Sequence, residues 1–325
     1  MRLYLLAAVA VILSIGVPTQ PAAADGHEGQ KAVLVTGASS GIGRHIAERL
    51  ADEGFFVYAG ARKQADLEAL NALDNVEAVR LDVTVQEEID AAVATVAKGG
   101  KGLYGIVNNA GVFIGGPLTD VSVDELEWLM DVNVFGVYRV TQAFAPMIIE
   151  SKGRITTIGS ISGILAGAFG GQYSMSKHAI EAYTDSLAAE MATVGVEVSV
   201  IEPGNYDSRI ADTAARRMRQ KNESYANSGS PFSERFAEWI DQPWDRSEYK
   251  PPHEVAEAAY RFFTDDQPLR RYMVVPNEEE AAWTINQIIR EMVQLNEGQA
   301  YKYSREELID MLDAALAPAE EPVAE

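Results

Sequence analysis

The chain has 325 residues, 27 Lys+Arg against 48 Asp+Glu, no cysteine, and 47% hydrophobic residues. That apolar content can bury a sizeable core, and the absence of cysteine excludes a disulfide framework, a thiolate zinc site and a thiol nucleophile. A net charge of −21 excludes nucleic acid as the expected partner, since such binding relies on cations that replace phosphate counterions; it describes a soluble, self-repelling surface.

Residues 1–24 differ from the rest. Arg2 is their only charge, an apolar run extends from Leu3 to Val17, and Ala22-Ala23-Ala24 precedes Asp25. This is the order of a secretory signal peptide with cleavage after Ala24. An uncleaved anchor is the alternative, giving membrane association through residues 3–17, although the run is shorter than the ~20 residues of a spanning helix. No twin arginine signals export of a prefolded protein. A linker, 25–30, follows.

From Lys31 short apolar runs alternate with helical patterns. Strands are predicted at 31–36, 55–60, 76–81, 103–108, 154–159, 196–202 and 271–275, and helices at 42–53, 64–73, 86–97, 123–150, 172–194 and 253–264. Apolar strands separated by helices imply βαβ units with right-handed crossovers. The expected fold is α/β: a Rossmann-type doubly wound parallel seven-stranded sheet with helices on both faces, forming one domain over residues 31–275. Two segments break this rhythm. Residues 205–250 carry 8 acidic and 8 basic residues and read as a substrate lid. Residues 276–325 read as an acidic extension with helices at 281–295 and 304–315 and a disordered tail; from 277 on, 12 acidic and 3 basic residues give −9.

Thr36-Gly37-Ala38-Ser39-Ser40-Gly41-Ile42-Gly43 follows the first strand and opens the first helix. Glycines there permit a tight turn and close backbone approach to a pyrophosphate, which the helix N-terminus attracts. Gly37, Ser39, Ser40, Gly41, Ile42 and Gly43 are therefore assigned to a dinucleotide. The second strand ends Ala59-Gly60-Ala61-Arg62. A carboxylate there would bind a free ribose 2′-hydroxyl; Arg62 instead favours a 2′-phosphate, hence NADP(H), with NAD(H) as the second choice. Asp82, ending the third strand, is placed to meet the adenine edge. Asn109, Ala110 and Gly111 end the fourth, where backbone must pass close to the cofactor.

Tyr173 and Lys177 stand at i and i+4 on one helix face. A free tyrosine titrates near ~10, and a neighbouring cation lowers that value, making the phenol a usable acid/base. Ser160, ending the fifth strand, is placed to hydrogen-bond a substrate carbonyl oxygen as charge builds there.

With these motifs in this order, residues 31–275 resemble the short-chain dehydrogenase/reductase family. Thr36–Gly43 is similar to its TGxxxGxG loop, Asn108–Gly111 to its NNAG motif, and Asn133, Ser160, Tyr173 and Lys177 to its catalytic tetrad. The resemblance implies hydride transfer between nicotinamide and a carbonyl or alcohol carbon. Tyr173 exchanges the proton, Ser160 orients the carbonyl, Lys177 binds the nicotinamide ribose and lowers the tyrosine pKa, and Asn133 holds a relay water. Pro203, Gly204 and Ser208 fall where relatives carry PGxxxT to hold the carboxamide, serine here replacing threonine. A homodimer or homotetramer is also implied, built by helices 123–150 and 172–194 with Phe135, Tyr138, Phe144 and Met147 supplying apolar surface, some of which must serve the monomer core.

The substrate expected is a small-molecule alcohol or ketone, and Phe232, Phe236, Trp239, Trp244 and Tyr249 on the lid suit a hydrophobic one, although packing on the domain core is the first explanation of such a stripe. Arg216, Arg217, Arg219 and Lys221 read as a solvated face. His27, His45, His178 and His253 show no metal-ligand spacing, so no metal is expected. Two other functions fit the scaffold: a nucleotide-binding sensor without turnover, and an epimerase or dehydratase. Location and cofactor pull apart, since residues 1–24 read as an export signal or anchor while NADP(H) is a cytoplasmic currency.

Overall fold

The computed structural model describes residues 29–226, 229–241 and 249–317. The segment 1–24, Trp244, the side chain of Lys221 and the tail from 318 lie outside the described residues.

Seven strands form one parallel sheet: β1 (Ala32–Val35), β2 (Phe56–Ala61), β3 (Val76–Arg80), β4 (Gly105–Asn108), β5 (Arg154–Ile158), β6 (Glu197–Pro203) and β7 (Arg271–Val274). Their order is β3-β2-β1-β4-β5-β6-β7. Leu34 pairs with Tyr58 on one side and Ile106 on the other. The direction of winding therefore reverses at β1 and β4, and a crevice opens beyond their C-terminal ends, where doubly wound sheets bind ligands.

Strand alternation explains why both faces are apolar. Val33, Val35, Val57, Ala59 and Val107 point to one core, where they meet Ile46 and Leu50 of α1 (Gly41–Asp52) and Val255, Ala259 and Phe262 of α9 (His253–Thr264). Leu34, Tyr58 and Ile106 point the other way, onto Ile89 and Val96 of α3 (Gln86–Gly99) and Val140, Phe144 and Ile148 of α5 (Gly136–Ser151). The α2 helix (Gln64–Asn71) contributes Leu70 to the first core, and α6 (Gly171–Ala192) contributes Ala188 to the second.

The helix expected over 123–150 is divided. Helix α4 (Val123–Met130), N-capped by Ser122, runs into a five-residue π turn, Asp131–Phe135, before α5 begins. A π turn accommodates one extra residue and re-aims the side chains inside it. Phe144, expected to supply assembly surface, is buried in the second core because α5 presents it to the sheet. Met147 packs partly against that core, while Phe135 and Tyr138 are exposed.

The segment 205–250, expected to act as a lid, contains α7 (Arg209–Ala226) and α8 (Ser233–Ile240). Ala214 and Met218 pack with Phe236, Ile240 and Trp239, joined by Phe113, Val121 and Phe169. Phe232 and Tyr249 are exposed, so of the described aromatic stripe only Phe236 and Trp239 enter this cluster. In the extension, α10 (Glu278–Glu297) buries Glu280 and Thr284, whereas α11 (Arg305–Leu316) buries nothing. Among the described residues no helix is long and apolar enough to cross a membrane.

Candidate active site

The glycine loop is braced from the neighbouring strand end. Thr36 donates its backbone N–H to Val107 O at 3.0 Å, and its hydroxyl accepts from the backbone of Asn109 (2.9 Å) and Ala110 (3.0 Å). The Asn109 amide returns two bonds, to Thr36 O at 2.9 Å and Gly37 O at 3.2 Å. Gly37 has φ +65°, and a Cβ there would stand 2.9 Å from Ala110 Cα; one on Gly43 would collide with Asn109 and the Gly37 carbonyl. These two positions therefore require glycine on grounds of space. Ser40 gives α1 no side-chain cap, leaving first-turn N–H groups for an anion. Ile42 packs partly against the first core. Ser208 lies opposite Gly41, where a Cβ would be 3.7 Å from it, so the Pro203–Ser208 segment meets the glycine loop.

A cavity of 670 Å³ adjoins this loop, lined by Ser39, Ser40, Arg62, Lys63, Asp66, Arg209, Thr213 and Arg216. It combines four cations with one carboxylate. Arg62 is exposed and reaches Asp82 at 3.5 Å. Burial of Asp82 opposes ionisation, but hydrogen bonds from Thr84 and the Arg62 charge hold it below the usual carboxylate range. The basic run of the lid thus divides. Arg216 turns toward this cavity, whereas Arg217 lies 4.0 Å over the Trp128 ring and 3.6 Å from Glu125. The solvated face expected from the run holds for the exposed Arg219. Arg209 and Arg216 were not legible as members of this pocket, because only the packing of α7 brings them to the end of β2.

Asn133, Ser160, Tyr173 and Lys177 come from three segments. The π turn aims the buried Asn133 at Val112, whose N–H it accepts at 2.8 Å and whose carbonyl it bonds at 2.9 Å. Its amide also donates to Ser176 Oγ at 3.0 Å, and Ser176 donates to Tyr173 O at 2.7 Å. Ser176 was not singled out from sequence; it stands three residues after the tyrosine and links it to the asparagine. Ser160 caps the 3₁₀ turn Ile161–Gly163, accepting from Ser162 N at 3.1 Å. Lys177 is buried, donates to Ile158 O at 2.8 Å, and places Nζ 5.5 Å from the Tyr173 ring centre. Burial lowers its pKa to about 8, with Glu181 pulling upward. The Phe113 ring stands 4.9 Å from that of Tyr173 and belongs to the lid cluster with Phe169 and Trp239. Gly111 precedes Val112, putting the β4 end beside Asn133.

Pro203 ends β6, and Gly204 and Asn205 meet the extension: Glu280 accepts from Asn205 N at 2.8 Å, and a Cβ on Gly204 would collide with its carboxylate. Sequence offered no signal for Glu280, which fell one residue before the helix predicted at 281–295 and is placed in the first turn of α10 only by the structure.

Comparison with known proteins agrees with this fold. The family model for short chain dehydrogenases matches residues 31–219. Mitochondrial D-beta-hydroxybutyrate dehydrogenase of Bos taurus is 37% identical over 209 residues, 61% of this chain and 60% of that protein. The NADPH-dependent 3-dehydrocapnine reductase of Ornithobacterium rhinotracheale is 34% identical over 256 residues, 75% of this chain and 88% of that one. A short chain dehydrogenase/reductase from Burkholderia phymatum, solved in complex with NAD, is similar with a TM-score of 0.68 at 27% identity over 85% of this chain and 98% of that one. The chain spans only 54 to 60% of the mitochondrial hydroxybutyrate dehydrogenases it matches. The chain belongs to the short-chain dehydrogenase/reductase family.

Proposed function

We propose that the protein is an NADP(H)-dependent oxidoreductase interconverting an alcohol and a carbonyl on an apolar small molecule. The observation that carries this reading is the link from Asn133 through Ser176 to Tyr173, with Lys177 Nζ 5.5 Å from the Tyr173 ring and Ser160 just past the end of β5. When bound, the dinucleotide supplies or accepts the hydride. In the direction of reduction, a carbonyl carbon gains a hydride, its oxygen gains the Tyr173 proton, and the phenolate is reprotonated from solvent. Ser160 Oγ hydrogen-bonds the substrate oxygen as negative charge grows, and the Lys177 ammonium favours the phenolate by charge. Asn133, through Ser176, holds the tyrosine end of α6 in place.

The protein has room and donors for this cofactor. The glycine loop offers uncapped N–H groups for the pyrophosphate. Arg62 and Lys63, with Arg209 and Arg216 from the lid, offer cations for a 2′-phosphate beside Ser39 and Ser40. Relatives whose names include NADPH or NAD support a nicotinamide dinucleotide in general, and the pocket supports the phosphorylated form. Phe113, Phe169 and Trp239 beside Tyr173 support an apolar substrate. The exposed Phe135 and Tyr138 support a homodimer or homotetramer. Residues 1–24 support export or a membrane anchor, which N-terminal sequencing from cell fractions tests: an intact Met1 in the membrane fraction excludes cleavage.

The test of function is a panel of aliphatic, aromatic and steroidal ketones and alcohols, with dinucleotide absorbance and product followed together. One NADPH consumed per carbonyl reduced is expected. Substrate loss without net cofactor change, or equal affinity for NADH and NADPH, overturns the respective half of the reading.

A further inference from the structure

Behind Lys177 lies a pair of carboxyl groups that the reaction above does not use. Glu181 follows Lys177 by four residues on α6 and so occupies the same helix face. Its side chain fills the space left by two glycines flanking Ser160: a Cβ on Gly159 would stand 3.0 Å from Glu181 Oε1, and one on Gly163 2.8 Å from it. Facing it from β6 is Glu202, which is buried. Glu181 Oε1, Glu181 Oε2 and Glu202 Oε1 are all buried without a hydrogen-bond donor. Two ionised carboxylates are acceptors only, so a bond between them exists only when one carries a proton.

The charges around the pair fix how many protons it needs. Arg271 on β7 binds Asp185 of α6 through both terminal nitrogens, at 3.1 and 2.8 Å, and stands 3.5 Å from Glu181 Oε2. Arg270 reaches Asp185 at 4.0 Å on the exposed side. The Gly159–Gly163 segment contributes no titratable group. Arg271, bound by Asp185, also acts on both glutamates, and Glu181 acts directly on the Lys177 ammonium. Two negative charges there would over-neutralise it, and none would leave a buried cation uncompensated.

We propose that Glu181 and Glu202 are a positioning pair that holds one shared proton, so that a single negative charge faces Lys177 and keeps its buried ammonium protonated. Burial pushes both carboxyls above the usual range; the Glu202 charge pushes Glu181 further, while Arg271 opposes the rise in both and a hydrogen bond with Glu181 opposes it in Glu202. Glu181 also seats the turn that carries Ser160, so the pair's protonation links the proton donor's cation to the carbonyl-orienting hydroxyl. Its bearing on turnover rests on the role proposed for Lys177; its protonation state does not.

The test therefore needs neither cofactor nor substrate. Infrared difference titration of the purified full chain should show a neutral carboxyl stretch at neutral pH, lost in Glu181→Gln and in Glu202→Gln. In parallel, the Lys177 Cε resonance is titrated in ¹³C-lysine-labelled protein and assigned by its loss in Lys177→Met. A lone remaining carboxylate keeps the single negative charge, so each single variant should leave Lys177 titrating near its wild-type value, about 8. The double variant should lower it by about one unit or more, a tenfold loss of proton affinity. No neutral carboxyl band in the wild type, which requires no variant to fold, overturns the proposal. So does a Lys177 shift as large in either single variant as in the double, or no shift in the double.

Discussion

On the sheet side of the crevice, Thr36, Asn109, Asn133 and Lys177 are tied to backbone by hydrogen bonds of 2.8 to 3.0 Å. On the lid side the cluster is held by rings, Phe169 lying 5.4 Å from Phe236 and 5.9 Å from Trp239, with Arg217 over Trp128. Directional bonds fix an atom's position, whereas apolar contact tolerates sliding at nearly constant energy. In the proposed reaction the sheet side would fix the geometry of proton and hydride transfer, and the 205–250 segment the choice of substrate.

Variants can break this division, and the largest effect belongs on the sheet side. Tyr173→Phe should cut turnover by about 10²–10⁴-fold with NADPH affinity retained, measured by steady-state rates and fluorescence titration. Gly43→Ala forces a methyl into Asn109 and the Gly37 carbonyl; about 1–3 kcal/mol of stability should be lost, read by denaturant unfolding, with weakened cofactor binding. Across the two halves, Arg62→Asp and Arg216→Ala should each weaken NADPH by about tenfold or more while sparing NADH; equal losses with both dinucleotides would remove these residues from the phosphate site.

Reduction should fall as pH rises through about 8, because Lys177 loses its charge there. Lys177→Arg should abolish that alkaline limb, since guanidinium stays protonated. The same depressed value has a stability consequence of opposite sign. Between about 8 and the ordinary lysine value the unfolded chain binds more protons, so this group's cost to folding diminishes with rising pH. On the exposed lid surface, Phe232→Ala should change stability by about 0.5 kcal/mol or less, in contrast to a truncation of the buried Phe236.

Much of this was legible before the fold was known. Parallel strands buried on both faces read as apolar runs, so KAVLVT and VEVSVIE announced β1 and β6. The glycine loop and Tyr173/Lys177 were legible because their chemistry is local in sequence. The π turn was hidden, since one extra residue leaves the apolar pattern of 123–150 looking continuous. Glu181 and Glu202 carry no local sequence signal, since only the packing of α6 against β6 brings them together. Glu280 was hidden for the same reason, its partner Asn205 lying 75 residues away.

The π turn carries a constraint of register. Asn133 faces the crevice while Val137, Val140, Phe144 and Ile148 face the core from the helix that follows. Successive helical residues are ~100° apart, so deleting one residue between 131 and 135 cannot preserve both orientations. Either the asparagine swings away from Val112 and Ser176, or the apolar stripe of α5 rotates off the sheet. This five-residue segment can therefore change in residue type far more readily than in length.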